Sequence, residues 1–297
     1  MRKLAFICLV VVTAVWLTNF KGKENRRDAG EIVVKSKTQQ ARPDPIQSQP
    51  NILSLRRSLG CGPVPISMRG APYNLDVFYQ QYCDANGIPI LASTQVNPDA
   101  LRIAQTRLNI LTQNLPPKVM QAMIDSQTRI AIIGKNEVVT DIPEKSDLNK
   151  VFKGRDWNRY RGVGPSMKRP VAITGEENIL CLTGNQLPGS DTFIHEFGHT
   201  LHIMGLNNAE PKFQKELDGA FRQAVLKDKL WENAYASTNS AEYWAEGVRI
   251  WFNAHYTTNS RHKNYIKTKA QLRTYDPTLY NLVARYMPNK PILICPL

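Results

Sequence analysis

The sequence predicts an α+β fold for residues 61–297, a small mixed sheet packed against helices. Two patterns carry that expectation. Apolar runs of strand length occur at 129–134, 170–174 and 178–182. Around them, apolar side chains recur at helical spacing, as in Leu101, Ala104, Leu108 and Leu111, and again in Phe213, Leu217, Phe221 and Val225. A third observation is chemical. His195-Glu196-Phe197-Gly198-His199 follows the last strand run, just after Ser190 and Asp191, either of which suits a helix N-cap.

The first sixty residues read differently from the rest. Arg2 and Lys3 precede an apolar run at 4–17, broken only by Thr13. That length suits a signal peptide and is short for a membrane span. No clean small-x-small cleavage site follows, so an uncleaved signal anchor stays open. Residues 1–20 are therefore a signal peptide or anchor, and the chain is expected outside the cell or tethered by 4–17. Residues 21–60 are polar and basic, with Pro43, Pro45 and Pro50, and read as a disordered linker. The net charge of +13 is uneven: residues 1–60 hold 11 Lys/Arg and 4 Asp/Glu. A basic leader of this kind suggests contact with nucleic acid, but it lacks interleaved aromatics and reads more simply as solvated chain.

The elements of 61–297 follow in order. Residues 75–83, with Val77, Phe78, Tyr79 and Tyr82, are expected as a short helix. Asn97-Pro98-Asp99 opens a helix with Pro at its first position, and Pro116-Pro117 closes it and opens another through Ser126. The run 129–134 is a strand that 137–140 extends or pairs with. Residues 141–170 carry scattered Gly and Pro and are expected as a long surface loop bordering a cleft. Strands at 170–174 and 178–182 precede the His195 helix. A long amphipathic helix covers 211–230, a loop covers 231–239, and Ser240 caps an aromatic-rich helix from 242 to about 253. One more helix is expected at 277–286. Four cysteines remain outside the leader, which suggests two disulfides in an oxidising compartment. Of three connectivities, Cys61–Cys83 with Cys181–Cys295 is favoured.

The five residues 195–199 carry the chemistry. Positions i and i+4 share a helix face, so His195 and His199 offer two imidazoles to one Zn2+, with Glu196 beside it as general base. A hydrolytic zinc site takes three protein ligands and leaves a position for water. The Gly and His that a metzincin needs downstream are out of place, since those slots hold His202 and Gly205. His202 itself would reach the same metal only if the helix broke, and nothing at Thr200-Leu201 suggests a break. A carboxylate on a second helix fits better: Glu242 and Glu246 are also i and i+4. Glu242 is the expected third ligand. Glu246 is expected to accept the spare ring N–H of a ligating histidine, fixing its tautomer.

Together with 195–199, the run Tyr235-Ala236-Ser237-Thr238-Asn239-Ser240-Ala241-Glu242-Tyr243-Trp244-Ala245-Glu246 resembles the catalytic domain of the anthrax lethal factor-like zinc metallopeptidases. The similarity is concentrated in residues 190–255. It implies a zincin-like fold in which the sheet packs on the HExxH helix and a second helix bears the third ligand. It implies that Glu242 binds zinc and that the Tyr235 hydroxyl lies near the scissile carbonyl, where a phenol can help stabilise an oxyanion. The expected activity is peptide-bond hydrolysis on a peptide or protein substrate. A zinc-containing binding protein without turnover is the competing reading, and it leaves Glu196 and Tyr235 without a purpose.

Overall fold

The computed structural model describes residues 60–182, 190–255 and 266–295. Contacts divide the chain into Met1–Asn51 and Ile52–Leu297, and every described residue lies in the second unit. The expected signal segment and the linker at 21–60 fall outside the described residues, apart from Gly60. In chain order the first elements are β1 (Cys61–Pro63), β2 (Gln81–Ala85), β3 (Ile88–Ala92), α1 (Pro98–Thr112), α2 (Pro117–Asp125) and β4 (Arg129–Ile133). Next come α3 (Leu148–Val151), β5 (Gly162–Val163), β6 (Val171–Gly175), α4 (Glu176–Leu180) and α5 (Thr192–Thr200). The chain then forms α6 (Asn207–Ala209), α7 (Phe213–Phe221), α8 (Ser240–Trp251), α9 (Lys269–Tyr275) and α10 (Pro277–Ala284).

The six strands make one mixed sheet in the order β1-β2-β3-β4-β6-β5. β3, β4 and β6 run parallel at its centre, while β1, β2 and β5 are antiparallel to their neighbours. Side chains alternate across a strand, so this sheet buries two faces. Ile90, Ile130, Ile132 and Ala172 face the main core with helices α1, α2, α5 and α8. Leu91, Ala131, Ile133, Val171 and Ile173 face a smaller core closed by Leu148, Trp157 and Val163. Burial on both sides is why 129–133 and 171–173 read as continuous apolar runs.

Several expected elements are corrected. Residues 75–83 are not a helix. Asp76 turns the chain by accepting the Phe78 N–H at 2.7 Å, and 81–85 then enter the sheet as β2. Strand pairing on both sides outweighs local spacing there, and Cys61 lies opposite Cys83 in the register. β3 adds a strand to those expected from the sequence, and Asn86-Gly87, at φ 54° and 86°, is the two-residue turn that joins it to β2. Residues 137–140 form no strand, because Glu137 and Asp141 carboxylates accept the Gly134 and Val138 N–H groups and close turns instead. Residues 178–180 belong to helix α4. Glu176 and Glu177 at its first turn suit the positive end of a helix, and an apolar run this short fits either structure.

The stretch 141–170 is only partly the surface loop expected. It contains short 3-10 turns, α3 and the edge strand β5, and it buries Ile142, Lys145, Leu148 and Trp157. The helix expected at 211–230 is α7 continued by a wider π-type turn at Arg222–Lys227. Asn239, not Ser240, caps α8, accepting the Glu242 N–H at 2.9 Å. The tail holds two helices rather than one, α9 capped by Thr268 and α10 capped by Asp276. The two disulfides are Cys61–Cys83 and Cys181–Cys295. Among the described residues no helix is long and apolar enough to cross a membrane.

Candidate active site

Helix α5 is pinned before it carries any chemistry. Asp191 caps it by accepting the Ile194 N–H at 2.9 Å, and its other oxygen pairs with the buried Arg107 of α1 at 3.0 Å. Asn178 of α4 accepts the Thr192 N–H at 2.7 Å and donates to the Ser190 carbonyl at 2.8 Å. Thr174 of β6 and Thr192 share a hydrogen bond of 3.0 Å. The sheet, α1 and α4 thus fix where the first turn of α5 begins.

Helix α8 crosses α5 at close range. A Cβ on Gly198 would lie 2.9 Å from the Ala245 Cα, so only glycine permits the approach. Trp244 Nε1 donates to the Gly198 carbonyl at 2.9 Å and locks the crossing. The crossing brings Glu242 between two imidazoles. Its Oε2 is 3.2 Å from His195 Nε2 and 3.2 Å from His199 Nε2, and those two nitrogens are 3.1 Å apart. Among the described residues this is the one group of three potential metal ligands, and all three are buried.

The surrounding groups fall into two layers. On the α8 side, Glu246 Oε1 is 2.9 Å from His195 Nδ1. Arg249 holds both Glu246 oxygens at 2.6 Å, and His255 Nε2 lies 3.4 Å from Oε2. On the sheet side, β5 covers Glu196. A Cβ on Gly162 would meet Glu196 Oε1 at 2.7 Å, and one on Gly164 would meet the His199 Cβ at 3.1 Å. Lys145 is buried below this edge and donates to the Gly164 carbonyl at 2.9 Å. The Tyr235 ring sits 6.0 Å from the His195 ring, and its hydroxyl hydrogen-bonds Glu242.

Electrostatics follow from burial. Burial works against charge on His195, yet Glu242 and Glu246 hold its pKa up at about 10. Burial alone would raise the Glu242 carboxyl, but the two imidazoles hold it well below the usual carboxylate range. Glu246 is likewise held low against its burial, by Arg249, His255 and His195. Burial pushes Glu196 up, with His195 and His199 opposing, so its affinity for a proton is raised. Burial and the carboxylates of Glu242 and Glu196 keep the Tyr235 phenol protonated, and hence a donor. The site as a whole asks for positive charge. Two nitrogens and one oxygen converging from a buried wall suit a divalent ion such as zinc.

A family profile described as "Anthrax toxin lethal factor, N- and C-terminal domain" matches residues 84–284, more than half of the chain. The chain belongs to the anthrax toxin lethal factor family. As a member it is a metalloendopeptidase, with a metal cofactor and a peptide or protein substrate. Among solved structures it is similar to the PRO-PRO endopeptidase PPEP-2 from Paenibacillus alvei. That match has a TM-score of 0.43 and 19% identity, and covers 66% of this chain and 96% of the other. No curated protein matches.

Within this lethal factor-family chain, the structure brings together His195, Glu196, His199, Tyr235, Glu242 and Glu246, each singled out from the sequence. His202 stands apart. The helix does change at Leu201, into a π-type turn at Leu201–Leu206, but the turn sends His202 to Gln214, at 2.7 Å, and not to the metal group. Burial lowers its pKa to about 4. Sequence reasoning missed Gly162, Gly164, Lys145, Arg249 and His255. Arg249 lies three residues beyond Glu246 on one helix face, a readable signal. The glycines had no local signal beyond their place in a loop suspected of bordering a cleft.

Proposed function

We propose that the chain is a secreted zinc metallopeptidase, with residues 1–20 a signal peptide or anchor, 21–60 a basic linker and 61–297 the catalytic domain. Two disulfides favour an oxidising compartment. His195, His199 and Glu242 are the zinc ligands. The observation that carries this assignment is the single Glu242 oxygen placed 3.2 Å from both imidazole Nε2 atoms. Bound zinc would lower the pKa of water and polarise a carbonyl.

The chain's own residues supply the remainder. Glu196, with its raised proton affinity, takes the proton of the attacking water and returns it to the leaving amine. The Tyr235 hydroxyl, kept protonated, donates to the oxygen of the substrate carbonyl as charge builds on it. Glu246, held by Arg249, fixes the His195 ring from behind. Burial of the whole group excludes bulk water and strengthens each of these interactions.

Glu196→Gln separates the roles. It should bind zinc at the wild-type stoichiometry and lose peptide hydrolysis by at least a hundredfold. Retention of wild-type turnover would rule out Glu196 as the base. Glu242→Ala should lose zinc, as read by metal analysis after dialysis; full occupancy would overturn the ligand assignment.

A further inference from the structure

Charge in the folded part is not diffuse. Residues 148–169 hold seven Lys/Arg and one Asp, whereas 60–147 hold seven and eight, and 170–255 hold six and eleven. The stretch is a cationic island between two segments that are neutral or acidic. Its one anion and its half-buried cations are already committed. Asp156 caps a 3-10 turn at the Asn158 N–H, Arg161 is bound by Glu177 at 2.7 Å, and Arg169 is bound by Asp147 at 2.5 Å. Lys150, Lys153, Arg155, Arg159 and Lys168 have no carboxylate partner among the described residues, and four of them are exposed.

The same stretch is also where apolar surface is left uncovered. Of seven exposed large hydrophobics among the described residues, Val151, Phe152 and Met167 lie here. Exposed apolar side chains mixed with unpaired cations mark a surface that meets something. Its position says what. Arg155 stacks over Trp157 at 5.2 Å, and Trp157 packs in the same small core as Val163. Val163 lies between Gly162 and Gly164, the two residues at which an added Cβ would meet Glu196 and His199. The island therefore rims the site along the β5 edge.

We infer that residues 148–169 form a cationic rim that selects peptide substrates carrying Asp or Glu, with apolar neighbours, beside the scissile bond. This rests on the metallopeptidase reading. Four exposed cations and the half-exposed Arg155, on the stretch that contains β5, raise the local concentration of an anionic peptide and align it along β5. The effect is screened by salt, since the Debye length is about 10 Å at 0.1 M and shorter above it.

The test is a degenerate peptide library digested by the zinc-loaded full chain, with products sequenced by mass spectrometry. A cleaved core is then made with Glu or Lys flanks, and kcat/KM is measured at low and high salt. Glu flanks should exceed Lys flanks by at least tenfold at low salt and lose most of that advantage at high salt. The variant K150E/K153E/R159E changes three exposed positions and should invert the preference. Cleavage without Asp or Glu enrichment, or a preference untouched by the variant, overturns the inference and leaves the enzyme reading intact. So would binding to phosphatidylserine vesicles through these residues without any charge preference in cleavage. No cleavage of any peptide, with zinc bound and Glu196→Gln indistinguishable, overturns the enzyme reading and this inference with it.

Discussion

Gly162→Ala is the sharpest probe of how the sheet and α5 cooperate. The new Cβ would sit 2.7 Å from Glu196 Oε1, 3.3 Å from its Cγ and 3.4 Å from its Cδ. Restoring ordinary contact requires the carboxylate to withdraw by about 0.7 Å, the difference between 2.7 Å and a contact of about 3.4 Å. The atom that must yield is the end of a flexible side chain, so the fold itself is little strained. The methyl also restricts the unfolded chain, which adds about 0.4–1 kcal/mol of stability and offsets part of any strain. Function is less tolerant. A misplacement of about 1 Å in a reacting group costs about 10²-fold, so kcat should fall by about 10- to 100-fold, equivalent to about 1.4–2.7 kcal/mol of barrier. None of the three proposed ligands is touched, so zinc stoichiometry should be unchanged. The measurements are metal content, thermal midpoint, and kcat and KM on one cleaved peptide. A variant with kcat within twofold of wild type would refute the argument that β5 positions Glu196. Loss of zinc alongside activity would refute it differently, by showing that the strand holds the ligands themselves.

Other perturbations separate the remaining layers. Gly198→Ala meets the Ala245 backbone at 2.9 Å, which cannot retreat like a side-chain tip, so it should cost about 1–3 kcal/mol of stability and weaken zinc binding as the helices part, read by denaturation and chelator competition. Glu246→Gln should lower zinc affinity by about 10- to 100-fold, measured against a competing chelator, because a neutral amide replaces the charged acceptor proposed to orient His195. His202 has a folded pKa of about 4 against 6.5 unfolded, so the unfolded chain binds the extra proton between those values. Its contribution to stability is complete above pH 6.5 and is lost as pH falls towards 4, by about 3 kcal/mol, and the difference between wild-type and His202→Gln stability curves should show that slope. Arg107→Met leaves Asp191 as an unpaired buried charge at the start of α5 and should destabilise the fold by about 3–5 kcal/mol, read by urea unfolding.

What was readable in the sequence was whatever depends on a short period along one element. The α5 histidines and the Glu242–Glu246 pair are both i, i+4 relations, and helices α1 and α2 announce themselves by Pro and Asn at their starts. Strands β4 and β6 were readable because both their faces are buried. What escaped depends on partners distant in the chain. Residues 81–85 become a strand only because β1 and β3 flank them, and the local signal for β3 is confined to the Asn86-Gly87 turn. Residues 178–180 look like a strand until Glu176 is seen to accept the Asn97 and Lys135 N–H groups, which holds the first turn of α4 in place. Gly162 and Gly164 acquire meaning only where β5 lies over α5, thirty residues later.

The balance of buried charge supports placing the proposed metal where His195, His199 and Glu242 converge. Glu196, Glu242 and Glu246 are all buried, and a buried carboxylate needs a cation or several donors. Glu246 has Arg249, through both oxygens. Glu196 has the fields of His195 and His199 and, more weakly, of Lys145, itself buried beneath the β5 edge and brought down to a pKa of about 8 by that burial. Glu242 has the Tyr235 hydroxyl and two imidazoles, and no Lys or Arg pairs with it among the described residues. An imidazole that accepts a proton to neutralise Glu242 cannot also present a lone pair to a metal. With Nε2 of both rings aimed at the same carboxylate oxygen, the counter-charge that satisfies all three groups at once is a divalent ion. Glu246 keeps Arg249 as its own cation, which supports the proposal that it orients His195, while Glu196, with no ion pair among the described residues, is the group proposed to exchange a proton.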